Sequence, residues 1–168
     1  MKILGLVGAS VMAAACASAS ARLDPATPTW RIVAESAVPD DVAIVKLFDD
    51  KTPAAAPAPV VTTQSLRRTL GARLAAGDRS ANFIAAGLPF FGYLWKSSQP
   101  PVAVSLDDAR HIAAEANVAL VRDPASGSLH GVQPGSWELW VVDEDQLRAL
   151  RAEANSLGVR RVVLFVKR

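Results

Sequence analysis

The chain has 168 residues, of which 51% are hydrophobic and 20% charged, and its formal net charge is +2. A chain of this size and hydrophobicity can bury an ordinary core in one domain, or in a domain with a subdomain. The nearly neutral total disfavours a dedicated nucleic-acid binder. A single cysteine leaves no partner for an internal disulfide.

The first residues have the composition of a secretory signal. A lone Lys2 precedes an apolar run over residues 3–15, and small residues follow that run. The run is shorter than the roughly 20 residues that a membrane-spanning helix needs. We therefore predict an exported protein, periplasmic or secreted.

Two alternatives stay open for the end of this signal, and they decide the fate of Cys16. Cleavage after residue 21 would give a signal over residues 1–21 and remove the thiol. The stretch AAAC, residues 13–16, instead resembles the lipobox of bacterial lipoproteins. That resemblance implies a lipoprotein signal over residues 1–15 and a lipid anchor on Cys16.

Residues 22–50 are predicted to hold a pair of strands, because residues 30–35 and 42–48 are rich in β-branched and aromatic side chains. The two strands would form a hairpin or lie side by side. Residues 51–63 are rich in Pro and Ala and lack periodicity, which predicts an extended linker.

Residues 64–98 are predicted to form a basic helix followed by an aromatic segment. Leu66, Leu70 and Leu74 fall at helical spacing over residues 65–76, after a threonine that can cap the helix. A second short helix is predicted over residues 80–88. The chain is then expected to extend over residues 90–95.

The aromatic segment admits two interpretations. It can be a strand buried on both faces, or it can be exposed beside the basic helix. In the second case it would serve peripheral attachment to an anionic membrane or binding of a protein partner. The residues that would make this contact are Arg67, Arg68, Arg73, Phe90, Phe91, Tyr93 and Trp95.

Residues 99–168 contain an internal repeat with a period of 38 residues. Residues 102–122 and 140–160 are identical at nine of 21 aligned positions. Both halves have a helix cap followed by an apolar helical stripe. Strands are predicted on both sides of each helix, at residues 102–104, 118–122, 138–142 and 161–167.

The order β-α-β-β-α-β predicts an α+β fold in which residues 99–168 form a ferredoxin-like sandwich. Two right-handed crossovers would place both helices on one face of a single antiparallel sheet. This order also resembles the peptidoglycan-binding SPOR domains, a resemblance that implies glycan binding.

Three polar side chains of the first repeated helix, Asp107, His111 and Glu115, are spaced i, i+4 and i+8. This spacing could present three ligands to a divalent metal. A solvated helix face explains the same spacing and is favoured, because Ala149 stands at the position that matches His111. The sequence predicts no metal and no cofactor.

His130 lies in a predicted loop, where it can be a binding residue or, as is favoured, a solvated side chain. Trp137 follows it in a predicted strand. Trp140 is expected in the core. Trp137 is then either a packed ring, which is favoured because tryptophan is usually largely buried, or a partly exposed ring beside His130 that contacts a partner. Pairing of either histidine with Ser126, Ser128 or Ser136 would allow nucleophilic catalysis, although nothing in the spacing favours it.

Catalytic signatures such as GxGxxG, GxxxxGK, HExxH, CxxC and SxxK are absent from the sequence. We therefore predict a non-catalytic binding or accessory module of the cell envelope. Its partner would be a protein or an envelope component, and the oligomeric state is undetermined. The alternative is a small periplasmic hydrolase or metal-dependent enzyme that uses Asp107, His111 and Glu115, or His130.

Overall fold

The computed structural model describes residues 30–34, 42–49, 56–77 and 84–167, with the backbone alone for the first of these ranges. The predicted signal, including Cys16, lies outside the described residues. No helix in the described ranges is long and apolar enough to cross a membrane.

The described residues form three helices and nine strands. The helices are α1 (Thr63–Ala75), α2 (Leu106–Glu115) and α3 (Glu144–Ser156). The strands are β1 (Trp30–Ala34), β2 (Ala43–Lys46), β3 (Ile84–Phe90), β4 (Gly92–Lys96), β5 (Val102–Val104), β6 (Val121–Arg122), β7 (Leu129–Gln133), β8 (Trp137–Val141) and β9 (Arg161–Lys167).

The strands belong to two sheets. The first sheet has the order β1-β9-β3-β2, in which β9, β3 and β2 are parallel and β1 is antiparallel. The second sheet has the order β5-β4-β8-β7-β6 and is antiparallel throughout. The predicted α+β class is confirmed.

The predicted ferredoxin-like sandwich is not formed, because its four strands do not share one sheet. β5 and β8 both pair with β4, which lies between them in the second sheet. β9 joins the first sheet between β1 and β3. The repeat therefore predicts each capped helix correctly but not the sheet on which that helix packs.

The N-terminal strands are not neighbours, contrary to the prediction. β1 and β2 lie at opposite edges of the first sheet, separated by β9 and β3. The two inner strands are parallel and almost continuously apolar, as is usual for strands covered on both faces.

The helix predicted over residues 80–88 is also wrong, because residues 84–90 form β3. Ile84, Ala85, Ala86 and Leu88 are all at most 2% exposed. A segment buried on every side gives no polar stripe from which helix and strand can be distinguished by periodicity.

The chain passes from the first sheet to the second at Phe91 and Gly92. A Cβ atom on Gly92 would lie 2.2 Å from the carbonyl oxygen of Trp140 and 2.6 Å from the Cα of Val141. Only glycine allows β4 to approach β8 this closely. This crossing fixes the second sheet against the end of the first.

The helices cover one face of each sheet. Leu66 and Leu70 of α1 pack with Leu150 and Ala154 of α3 over one face of the first sheet. α2 covers one face of the second sheet through Leu106, Ala109 and Ala113. The remaining faces of the two sheets meet in a cluster of rings made by Phe48, Phe91, Tyr93, Trp95 and Phe165.

Candidate functional site

The face of the second sheet opposite α2 has two rows of side chains. Tyr93, Trp140 and His130 lie opposite one another across β4, β8 and β7, and Trp95, Glu138 and Val132 form the next row. Residues paired directly across strands have side chains on the same face. We call these six residues the platform.

Burial changes across the platform from one edge to the other. Tyr93 and Trp95 on β4 are 6% and 7% exposed. Glu138 and Trp140 on the central strand are half-buried, and Val132 on β7 is exposed. The solvent exposure of the platform therefore increases from β4, in the aromatic core, to β7 at the surface. The carboxylate of Glu138 lies near its centre.

Glu138 is held in place by two neighbours. Its Oε1 atom accepts a hydrogen bond from Trp140 Nε1 at 2.9 Å and lies 3.0 Å from His130 Nε2. The His130 ring also stacks on the Trp140 ring, with centroids 3.9 Å apart. Within the described residues no donor reaches Oε2, so this oxygen can accept a hydrogen bond from a ligand.

The carboxyl ends of the parallel strands lie beside the platform, where Phe91 contacts Tyr93. Phe48 and Asp49 follow β2, Phe91 follows β3, and Phe165 lies near the end of β9. Phe48 contacts both Phe91 and Phe165 edge-to-face, with centroids 5.1 and 5.2 Å apart. Ligands in α/β proteins bind at the carboxyl ends of such strands, which makes this junction the expected location of a site.

An open cleft of about 410 Å³ borders the platform at the end of the second sheet. The β4–β5 turn, the β7–β8 turn and Pro57 form its walls. Trp95, Val132 and Glu138 extend the platform into this cleft, where Lys96 and Gln133 contribute polar groups.

A network of hydrogen bonds fixes the loop that leads into β7. Asp123 accepts hydrogen bonds from the backbone N–H of Ser126 at 2.7 Å and from its hydroxyl at 2.6 Å. These bonds hold the pKa of the Asp123 carboxyl below its ordinary value. Arg122 donates to the carbonyl of Gly127 and to the carboxylate of Asp143, which ties the loop to the start of α3.

The predicted contact residues do not form one exposed surface. Arg67, Arg68 and Arg73 are exposed on α1, but Phe91, Tyr93 and Trp95 are at most 7% exposed and Phe90 is half-buried. Of the two interpretations of the aromatic segment, burial is the one that the structure shows.

Trp137 has the packed environment that the sequence favours, whereas Trp140 does not lie in the core as predicted. Trp137 is 8% exposed and packs beneath α2. Trp140 is half-buried on the platform, where it contacts His130. The repeat aligned Trp140 with Val102 and so suggested a core position, but Val102 is itself 49% exposed.

The three metal candidates lie on the solvent-exposed side of α2. His111 Nε2 lies 3.2 Å from Glu115 Oε1, whereas Asp107 is nearly fully exposed and lies 3.7 Å from Arg110. No group of three potential metal ligands is assembled anywhere in the described ranges.

His130 is paired with a carboxylate and not with a serine. Ser126 is bonded to Asp123, and the backbone of Ser128 is bonded to Ser126. Within the part of the chain that the structure describes, no hydrogen bond joins either histidine to Ser126, Ser128 or Ser136.

The sequence contained a signal for Glu138 that was not used. In the segment WELWV, period-two alternation places Glu138 and Trp140 on one face of the strand and Trp137, Leu139 and Val141 on the other. A carboxylate two residues from a tryptophan on a half-exposed face indicates a binding surface. Asp49 was missed because it directly follows a predicted strand without any motif.

No protein-family model matches this chain, and no curated protein matches it. Solved structures do match. The spore cortex-lytic enzyme SleL of Bacillus cereus is 19% identical with a TM-score of 0.63, over 73% of this chain and 31% of that enzyme. The chitinase of Chromobacterium violaceum is 22% identical with a TM-score of 0.62, over 74% of this chain and 40% of that enzyme.

A class V chitinase of Pseudomonas fluorescens is 21% identical with a TM-score of 0.59, over 73% of this chain and 42% of that enzyme. The chain therefore spans less than half the length of each of these enzymes. At such identities the likeness establishes a shared fold for the matched part.

The solved structures named above are a spore cortex-lytic enzyme and two chitinases, which are glycoside hydrolases. These matches contradict the expectation of a non-catalytic binding module, because the solved structures named above are enzymes. Sequence motifs could not reveal this, since the chain carries none of the signatures that were sought.

Proposed function

We propose that this chain acts on a glycan as a glycoside hydrolase, and that the platform holds the sugar. The observation that carries the proposal is the half-buried carboxylate of Glu138, held between aromatic side chains on the face beside the carboxyl ends of the parallel strands. The likeness to chitinases and to a spore cortex-lytic enzyme supports a polymer of amino sugars as the substrate class.

The platform has the chemistry that sugar binding requires. A pyranose ring has apolar C–H faces and a polar rim, so it is matched by flat aromatic rings with polar groups beside them. Trp140 and His130 supply stacked rings that solvent reaches, and Glu138 supplies an acceptor for sugar hydroxyl or amide groups.

Glu138 is also the carboxyl group of the platform that can exchange a proton with a glycosidic oxygen. Glycoside hydrolases use carboxyl groups for this step, as general acid or as base. Asp49 supplies a second, exposed carboxylate at the carboxyl end of β2. We propose that Glu138 serves in proton transfer and that Asp49 contacts the substrate.

The predicted export suits this activity, because the proposed substrates lie in or outside the cell envelope. A protein carrying the signal over residues 1–21 would meet cell-wall glycan after secretion. The same holds if Cys16 carries a lipid, which would keep the protein close to its substrate.

The first experiment replaces the carboxylate by its uncharged isostere. We expect Glu138→Gln to lower turnover of chitin oligosaccharides or of purified cell-wall glycan by about 10²-fold or more, the contribution of a general acid or base. KM should change much less, because the amide keeps an oxygen that accepts hydrogen bonds. Reducing-end release by the full chain measures both quantities.

Glu144→Gln is the matched control, because Glu144 is an exposed carboxylate of α3 paired with Arg110. It should retain wild-type turnover. Turnover unchanged in Glu138→Gln would remove Glu138 from proton transfer. Absence of both binding and hydrolysis of either glycan by the wild-type protein would overturn the proposed function.

A further inference from the structure

The cleft beside the platform has a charge that the proposed reaction does not use. Lys96 is exposed at the end of β4 and lines the cleft of about 410 Å³ with Trp95, Gln133 and Glu138. Lys96 also borders a second cleft of about 360 Å³ on the α2 side of the sheet. Lys96 therefore borders two open clefts, one on each side of the sheet.

Among the described residues, no carboxylate lies within ion-pair distance of Lys96. Glu138, which lines the platform cleft, is bonded through its Oε1 atom to Trp140 and His130. Glu115, which lines the α2-side cleft, is paired with His111 at 3.2 Å. By contrast, Lys167 is paired with Asp108 at 3.1 Å.

The neighbourhood of Lys96 is polar and open. Ser97, Ser98 and Gln99 follow it in the β4–β5 turn, and Gln133, the last residue of β7, lines the same cleft. Hydroxyl and amide groups of this kind bind sugar hydroxyls, whereas a lysine ammonium selects an anion. The cleft therefore combines groups that bind sugars with a lysine that has no ion-pair partner among the described residues.

We infer that this cleft binds a second sugar unit of the polymer and that Lys96 selects a unit carrying a carboxylate. The inference rests on the proposed function and deepens it, because it names a carboxylate-bearing glycan in place of a neutral one. On this inference, Glu138 and Lys96 contact neighbouring sugar units of the same polymer. The first contacts the sugar on the platform, and the second contacts the anionic group of its neighbour.

The test compares three probes that differ in charge. The first is soluble cell-wall glycan strands with their lactyl carboxylates intact. The second is the same strands with the carboxylates converted to amides, and the third is the neutral hexamer of N-acetylglucosamine. Affinities are measured by titration calorimetry with the full chain at low ionic strength.

We expect the wild-type protein to bind the acidic strands about fivefold more tightly than the amidated strands, the upper range for a partly exposed ion pair. Lys96→Gln should abolish this preference and leave the affinity for the neutral hexamer unchanged. The preference of the wild-type protein for acidic strands should also fall as salt is added. At about 1 M salt, the attraction between exposed charges is screened beyond roughly 3 Å.

Arg68→Gln is the matched control for net charge. Arg68 is exposed on α1, which covers the face of the first sheet opposite the second sheet. This variant should keep the full preference for acidic strands. Thermal unfolding of all three proteins verifies that each one folds.

A wild-type protein that binds acidic and amidated strands equally, or a Lys96→Gln variant that keeps the preference, would overturn the inference while leaving the proposed function standing. Failure of the wild-type protein to bind any of the three glycans would instead count against the proposed function.

Discussion

The two repeated strand–helix units begin alike and end in different sheets. The α2 unit starts at Ser105 and the α3 unit at Asp143, which are equivalent positions in the repeat. Each cap side chain accepts a hydrogen bond from the backbone N–H three residues later. Three or four residues determine this cap, so the repeat reproduces it wherever the unit lies.

The strands that follow the helices make the difference. β6 follows α2 and has only two residues, both exposed at the edge of the second sheet. β9 follows α3, has seven residues, and lies inside the first sheet with Val163 and Phe165 at most 1% exposed. A helix therefore packs on the sheet that its following strand can enter.

Because the two helices pack on different sheets, one face of the second sheet is left uncovered by the described helices, and this face carries the platform. Because α3 covers the first sheet and α2 covers one face of the second, the other face of the second sheet is left for Glu138, Trp140 and His130. A symmetrical sandwich with both helices on one sheet would have no junction between two sheets.

The largest expected difference between the units is in their cores. Leu150 of α3 is 0% exposed, whereas the equivalent Ile112 of α2 is only partly buried. We expect Leu150→Ala to lower the free energy of unfolding by about 2–5 kcal/mol, and Ile112→Ala by roughly half as much. Urea unfolding of the two variants measures both values.

Equal losses in the two variants would show that the units contribute similarly to the core and would contradict the comparison. Leu150→Met is the conservative control, since it nearly preserves side-chain volume and should cost less than about 1.5 kcal/mol.

The next difference lies in the caps. Ser105 has Asp108 and solvent around it, whereas Asp143 is buried and paired with Arg122, with Arg122 Nη1 3.0 Å from its Oδ1. We expect Asp143→Ala to cost about 2–3 kcal/mol, because it removes both a cap and an ion pair whose carboxylate is buried. Ser105→Ala should cost about 1 kcal/mol, the usual value for a cap.

Asp143→Asn separates the two contributions, because asparagine also caps helices but carries no charge. Burial raises the pKa of the Asp143 carboxyl, but the hydrogen bonds from Arg122 and from the Gln146 N–H outweigh it and leave the pKa below its ordinary value. A carboxyl with a lowered pKa in the folded state stabilises above its unfolded pKa of about 3.9. That stabilisation is lost as the pH falls through the folded-state pKa.

The stability difference between the wild-type protein and Asp143→Asn should therefore be full at neutral pH and shrink below about pH 4. Urea unfolding at several pH values measures it. A difference that stays constant across this range would mean that the charge of Asp143 contributes nothing and that only the cap matters.

The helix caps are a part of the fold that the sequence predicts correctly. The starts of α1, α2 and α3 follow from local residues, and the structure confirms them at Thr62, Ser105 and Asp143. Strand partners depend on contacts between distant segments, as where β9 pairs with β1 and β3. No local pattern encodes those contacts, so the sheet arrangement was predicted wrongly.

The site was harder to predict than the helices for the same reason. His130 was recognised as a candidate, but its partner Glu138 lies on the neighbouring strand and is brought to it by the register of β7 and β8. The alternation in WELWV predicts which residues share a face with Glu138. It does not predict that the rings of Tyr93 and Trp95 lie in the same two rows.

The smallest expected difference in stability between the two units concerns the ion pairs of Glu153 in α3 and of Glu115, its equivalent in α2. Glu153 links α3 to α1 through Arg67, with Arg67 Nε 2.7 Å from Glu153 Oε1, whereas Glu115 pairs with His111 of its own helix. The hydrogen bond from Arg67 holds the pKa of the Glu153 carboxyl below its ordinary value. Because the side chain of Arg67 is 68% exposed, solvent screens the pair.

We expect Glu153→Gln to cost between about 0.2 and 1 kcal/mol, and Glu115→Gln still less, because only the first joins two helices. Urea unfolding at low and high salt measures both variants. The Glu153 effect should shrink in high salt and, since the pKa is lowered in the folded state, should also disappear at pH values well below the unfolded carboxyl pKa of about 4.3. A larger loss in Glu115→Gln would reverse the order of the two units, and α2 would then be the helix whose surface pairs matter more for stability.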